Sequence, residues 1–319
     1  MKKNIIKLSA IVFAASALAV SCEKNFEGEA PAEQTNRITF TAQMPETRTV
    51  FGEYDGASSV YPVFWQNGDK VHIFTKETDN SGGNYSIDDN IATAVTTDGG
   101  KTATLSLDIP ASTRYYAVTP AECMEYFYKT PGEYDLFIDN YQKPLKDCCD
   151  PKVQIIYGCS SEVAADDTNV SIKFLNHVTA YGKFKFENFE GVSNDDIALI
   201  VIEAGSKDAK LTERYELHWD GKNAENPFRL VSWGTSQNSI ILAELQEIKG
   251  REYFWFGCAP IEFEDLHTSL TFTVTTSDKI YTKTIEADDN WLFFEAGSVT
   301  AFALDMSKGV EVKNVAVAE

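Results

Sequence analysis

Histidine is scarce in this chain, and positive charge is outnumbered. His72, His177, His218 and His267 are the only histidines in 319 residues, and none stands at ligand or catalytic spacing from another. Neither a His-Glu-x-x-His zinc helix nor a Gly-x-Ser-x-Gly nucleophile elbow occurs, so no catalytic constellation is legible and the chain does not read as an enzyme. His72 and His177 fall inside apolar stretches, where a histidine packed in a strand is the plainer reading. Lys and Arg total 28 against 48 Asp and Glu, a formal charge of -20. Coulomb repulsion then disfavours nucleic acid and anionic lipid surfaces as partners. Acidic pairs occur at Asp88-Asp89, Asp166-Asp167, Asp195-Asp196 and Asp288-Asp289, but none has EF-hand spacing, and solvated turns account for them. No cofactor and no metal site is expected. Also missing is any amphipathic helix beyond about three turns, and the apolar run Leu8 to Val20 is too short to cross a bilayer.

Strand signals fill the space. Ile38, Phe40 and Ala42 alternate with Thr39, Thr41 and Gln43, the period of a half-buried strand, so Arg37 to Gln43 is expected to be β. Tyr61 to Trp65 and Val71 to Phe74 flank Gln66-Asn67-Gly68-Asp69, where Asn-Gly suits the positive φ of a tight turn. The two runs are expected to pair antiparallel. Further strand-like stretches recur from Ile91 to Met306, among them Thr102 to Leu107, Val153 to Tyr157, Val170 to Leu175, Tyr181 to Phe186 and the hairpin Ser269 to Glu286. Their turn signals come at the spacing of a β-sandwich. The fold class is all-β, and the length suits two domains. An aromatic strand leading to a proline occurs twice, Tyr115-Tyr116 before Pro120 and Tyr253-Phe254-Trp255 before Pro260, a faint repeat in keeping with two similar halves.

The N-terminus is of a different kind. Lys2, Lys3 and Lys7 precede the apolar run Leu8 to Val20, the layout of a secretion signal over residues 1–21. Leu18-Ala19-Val20-Ser21-Cys22 ends in small residues followed by cysteine, which resembles a lipobox with Cys22 as the lipidated first residue of the mature chain. Residues 22–36 are polar, with Phe26 their one bulky apolar residue, and read as a flexible tether. Such a chain would be held at a membrane by lipid and not by a helix. The five other cysteines, Cys123, Cys148, Cys149, Cys159 and Cys258, are an odd number in a compartment that permits disulfides. A local bridge within Cys148, Cys149 and Cys159 is the favoured expectation; zinc would lack a fourth ligand there.

The order of motifs carries a resemblance. Ile-Thr-Phe-Thr-Ala at 38–42, Thr47-Arg48-Thr49, a Phe-Trp strand, Asn67-Gly68-Asp69-Lys70 and Val71-His72-Ile73-Phe74 resemble the start of the fimbrillin family, lipoprotein pilins and pilus-associated proteins of Gram-negative gut and oral anaerobes. Tyr115 to Pro120, Val170 to His177 and Ala296 to Phe302 extend the likeness over nearly the whole chain. The resemblance implies two β-sandwich domains of transthyretin-like, Greek-key topology, placed here at residues 37–166 and 167–306. It implies a pilus subunit (shaft, tip or anchor) at the outer membrane or in the fimbrium, which joins other subunits by strand addition and contributes to adhesion to host or bacterial surface ligands. It also implies cleavage by an Arg-specific protease that frees a groove. Arg48 is the favoured site, since cutting there would release the strand of Ile38, Phe40 and Ala42, whereas cutting at the alternative, Arg37, would leave it in place.

Residues 307–319 form a tail in which Val310, Val312, Val315 and Val317 alternate with other residues around a Lys313-Asn314 break. It is expected to donate a strand to the next subunit, the alternatives being a disordered end or a last strand paired in cis. A different reading is an outer-membrane lipoprotein that binds extracellular glycans. Trp219 and Trp233, near polar loops, are its candidate stacking residues, while Trp65 and Trp255 read as core and Trp291 is a further tryptophan to place. Metabolic labelling with an acyl probe is expected to mark the wild-type chain and not Cys22→Ala; equal labelling would refute the lipid anchor.

Overall fold

In the computed structural model, the described residues are 35–44, 64–75, 90–124, 133–206, 209–219, 228–232, 236–261, 269–286 and 293–315. Cys22, Arg48, His267, Trp233, Trp291, Val317 and the side chain of Trp219 lie outside them, as do the pairs Asp88-Asp89 and Asp288-Asp289. Among the described residues there is no α-helix. The first half of the chain runs through β1 (Thr35–Gln43), β2 (Lys70–Phe74), β3 (Ile91–Thr93), β4 (Thr102–Pro110), β5 (Tyr116–Thr119), β6 (Glu133–Phe137), β7 (Tyr141–Gln142), β8 (Ile156–Ser160) and β9 (Asn169–His177). There follow β10 (Ala180–Glu187), β11 (Leu199–Ala204), β12 (Arg214–Trp219), β13 (Phe228–Ser232), β14 (Ser239–Leu242), β15 (Phe254–Cys258), β16 (Ser269–Thr275), β17 (Lys279–Glu286), β18 (Val299–Asp305) and β19 (Val310–Asn314). The all-β class read from the alternation is the class observed.

Seven strands form the first sheet, in the order β3-β2-β5-β8-β9-β1-β4. Period-two side chains send Ile38, Phe40, Leu105, Val170, Ile172 and Phe174 to one face, where they close a core with Trp65 and Tyr115. Along β2, β5 and β8 the opposite face is buried as well, which is why these strands read as unbroken apolar runs. Ile73, Tyr115, Ala117 and Ile156 enter the first core, while their neighbours Phe74, Tyr116, Val118 and Tyr157 enter a second. That second core is covered by a three-stranded sheet, β13-β12-β6. Phe228 of β13 stands edge-on to Tyr116 with centroids 5.0 Å apart, and Tyr134 of β6 lies 4.1 Å from Phe74.

The other half pairs β15-β10-β18 in one sheet and β19-β17-β16-β11-β14-β7 in another. Between them Phe184 is stacked on Phe254 and on Phe302, at 5.5 and 5.6 Å. A common rule links the halves: β1 runs parallel to β9, and β10 runs parallel to β18. The first half is thus closed by its first and last strands, and in the second half β10 meets β18, the strand before the last. The expected boundary at residue 166 falls before β9, which stays in the first sheet; the chain leaves that sheet only after His177. The acidic pair Asp166-Asp167, read as a solvated turn, lies in the turn between β8 and β9, where the Asp167 carboxylate accepts the Ala164 N–H at 3.0 Å. Nor are the halves separate beads, since β6 pairs with β12 and β7 with β14.

Two expectations are corrected. The turn at Gln66–Asp69 forms, with the Asp69 N–H donating to the Gln66 carbonyl at 3.2 Å and Gly68 at φ +101°. Yet it does not join a hairpin within the described residues: the Trp65 N–H donates to Gly100, and β2 pairs with β3 and β5 instead. The favoured bridge among Cys148, Cys149 and Cys159 is not formed, and all five described cysteines are buried thiols. Burial raises the Cys149, Cys123 and Cys258 thiols well above their ordinary pKa, so the thiolate needed for disulfide exchange is suppressed.

Phe40 is fully buried and meets Tyr115 edge-on at 5.1 Å, whereas Thr41 beside it is exposed. Phe40→Ala is expected to cost about 3–5 kcal/mol in chemical denaturation, and Thr41→Ala about 0.5 kcal/mol or less.

Candidate functional site

β1 is the element on which a function by strand exchange would act. Nine consecutive residues, Thr35 to Gln43, pair antiparallel with β4, and Thr39 to Gln43 pair in parallel with β9 on the other side. Ile38, Phe40 and Ala42 point inward and are buried. Withdrawing β1 would open a slot between β4 and β9 floored by Leu105, Val170, Ile172 and Phe174. Such a slot combines two rows of unsatisfied backbone groups with apolar surface worth about 1.5–3 kcal/mol per large side chain. On the outer face Arg37 pairs with Asp108 at 3.2 Å, both side chains mostly exposed, a contact worth about 1 kcal/mol or less.

The stretch expected to be a tail is a strand in this structure. β19 pairs antiparallel with β17, setting Val312 opposite Tyr281 and Val310 opposite Lys283. This is the cis pairing that stood as an alternative to a donor strand. β19 ends its sheet, and among the described residues no strand lies along its second backbone edge. Val310 rests partly on the core, but Val312 is 54% exposed and Glu311, Lys313 and Asn314 are exposed too. Val315 is half-buried, and its N–H donates to the Asp278 carbonyl at 3.0 Å. Val310 and Val312 share one face of the strand; Val315 has the opposite parity, so a bulge would be needed to bring it to their side.

No protein-family model matches the sequence, and no curated protein is significantly similar to it. The fold is similar to a candidate cell adhesion protein of Bacteroides uniformis, with TM-score 0.49, 13% identity, and 90% of this chain and 98% of that chain covered. It is similar also to the tip fimbrial protein Mfa3 of Porphyromonas gingivalis, with TM-score 0.32, 9% identity, and 88% and 99% covered. A third is the shaft pilin SpaA of Lactobacillus rhamnosus, with TM-score 0.28, 15% identity, and 86% and 100% covered. Scores below 0.5 carry no argument about what this chain does.

The remaining candidate residues are dispersed. Trp65 and Trp255 are buried, the first edge-on to Phe174 at 5.4 Å and the second under the Lys183 ammonium at 4.8 Å, so neither offers a stacking face to a sugar. Asp195 and Asp196 close a turn: Ser193 and Asp196 cap each other, and Asp195 accepts the Gly250 N–H at 2.9 Å. His218 meets Glu216 at 2.5 Å on β12, and His72 is buried in β2. His177 closes β9 against Gly297, which has φ +76° and where a Cβ would lie 2.8 Å from the imidazole.

Burial lowers the His177 pKa from 6.5 to about 4. The folded chain therefore keeps this ring neutral, while the unfolded chain takes up its proton near pH 6.5. Stability from this group is full above that pH and is lost as pH falls toward 4, at up to about 1.4 kcal/mol per unit. Thermal melts of His177→Gln are expected to show a shallower fall between pH 6.5 and 4 than the parent; parallel curves would refute the assignment.

Proposed function

We propose that the chain is a cell-surface structural subunit of a pilus or fimbria, as shaft, tip or anchor, which assembles by strand exchange and contributes to adhesion. The observation that carries this reading is the seat of β1. It is the first described strand, it is held on both edges, and its apolar side seals a core. A chain cut after it at Arg48 would lose a strand from the interior of a sheet, and another subunit could satisfy the slot by adding one of its own. Cleavage at Arg37 is the weaker choice on physical grounds: that residue lies within the ladder, opposite Asp108, and a protease needs extended backbone free of pairing.

β19 is the candidate donor. Its single paired edge and exposed Val312 make it inexpensive to detach. Val310 to Val317 extended would span about 26 Å at about 3.3 Å per residue, a normal strand length. Val310, Val312, Val315 and Val317 would replace Ile38, Phe40 and Ala42 in the next subunit, one set of apolar contacts for another. Lipid at Cys22 would hold the uncut chain at the outer membrane, and other subunits would be its partners. The resemblance in motif order to fimbrillins supports the same reading.

Arg-specific protease treatment of the purified chain is expected to give a new N-terminus at Thr49 and to start polymerisation. Deleting Gly309 to Glu319 is expected to leave a folded chain that no longer donates. Assembled polymer whose chains all begin at Cys22, or a truncated chain that polymerises as well as wild type, would overturn the proposal.

A further inference from the structure

The outer face of the seven-stranded sheet is covered only in part. Over β2, β5 and β8 the second core buries Phe74, Tyr116 and Tyr157, and the cover ends at Cys159, which is 9% exposed. Beyond it the outward residues of β9 lie open: Ser171, Lys173 and Leu175, the last 50% exposed. Lys173 stands opposite Cys159 in the ladder, so the end of the cover and the open strand make a step. The step holds a cleft of about 470 Å³, with Arg114, Ser161 and Glu162 on its other side. Arg114 is steadied there by its Nε, which donates to the Ser160 carbonyl at 3.2 Å.

We propose that this cleft binds an acidic saccharide through a sugar unit that bears a carboxylate. Two cations and one carboxylate line it, a local positive excess on a chain whose formal charge is -20. Lys173 and Arg114 suit a carboxylate, with which they form charge-assisted hydrogen bonds. The Ser161 and Ser171 hydroxyls and the Glu162 carboxylate suit the ring hydroxyls, and Leu175 offers an apolar rest for the C–H face of the ring. A neutral sugar would make no charge-assisted contact with either side chain. A polyanion or an acidic protein surface would meet the repulsion of the whole chain, which a single carboxylate on a compact ring largely escapes. The site uses none of the tryptophans and no residue of β1, although Ser171 and Lys173 stand opposite Thr41 and Gln43 of β1 in the ladder.

The test is calorimetric titration of the full chain with a glucuronate-containing tetrasaccharide, a neutral tetrasaccharide of equal length and an acidic tetrapeptide. Saturable binding is expected for the first alone, weakened about tenfold or more in Lys173→Gln and unchanged in Lys210→Gln, an exposed lysine of the other half. Raising salt from about 50 to about 500 mM is expected to weaken it further, as screening requires. Lys173 is exposed, so thermal melts of Lys173→Gln and parent are expected to coincide. Absent binding overturns the proposal, as does equal binding of the neutral sugar, the peptide or the Lys173→Gln chain. The assembly experiments read polymer and this one reads ligand, so either result can fail alone.

Discussion

The backbone of β1 must be paired on both of its edges, and the first half of the molecule is arranged to meet that demand. β4 supplies one edge, antiparallel, and β9 supplies the other from farther along the chain, in parallel. Only when all three are side by side do Ile38, Phe40 and Ala42 face a closed core with Leu105 and Phe174. A strand in that position cannot be lost quietly, because an open sheet interior exposes both polar ladder and apolar floor. The same fact makes the slot selective for another extended segment, since nothing but a strand can satisfy both kinds of surface at once.

The second core constrains the rest. Phe74, Tyr116 and Tyr157 come from the first sheet, while Leu217, Phe228 and Trp255 come from the other half. Halves joined in this way resist relative movement, because separating them would expose large aromatic faces. Gln142 adds a polar tie, its side-chain amide donating to the Gly257 carbonyl at 2.7 Å and accepting the Gly257 N–H at 2.9 Å. Cys148 and Cys149 belong to the same core, and their burial supplies packing where a bridge had seemed the natural staple.

At the two ends of the described chain the physics is opposed. β1 is interior and well held, whereas β19 is an edge with most of its side chains in water. Edges of this kind are the places where a sheet can give up or accept a strand. The cleft beside β9 follows from a third feature, the limited extent of the cover over the first sheet, which leaves Lys173 and Leu175 in solvent while Tyr116 and Tyr157 are sealed.

Much of the local structure was legible in the residues themselves. The alternation through Ile38, Phe40 and Ala42, the Ser269 to Glu286 hairpin and the turn at Gln66–Asp69 all depend on neighbours a few positions apart, and period two marks which side chains face inward. Two short strands, β7 and β13, left no such signal, since two to five residues hardly display a period. Partner choice was not legible either. Val71 to Phe74 has the same pattern whether it pairs with Tyr61 to Trp65 or with β3 and β5. By itself, then, the sequence determined the β class, the inward face of an alternating strand such as β1 and the sites of turns such as Gln66–Asp69, because these are set by local sterics and side-chain period. Only the tertiary structure decided which strands meet, where one half passes to the next, that the thiols are sealed from solvent, and that Lys173 opens on a cleft, because those outcomes depend on which distant apolar faces bury one another.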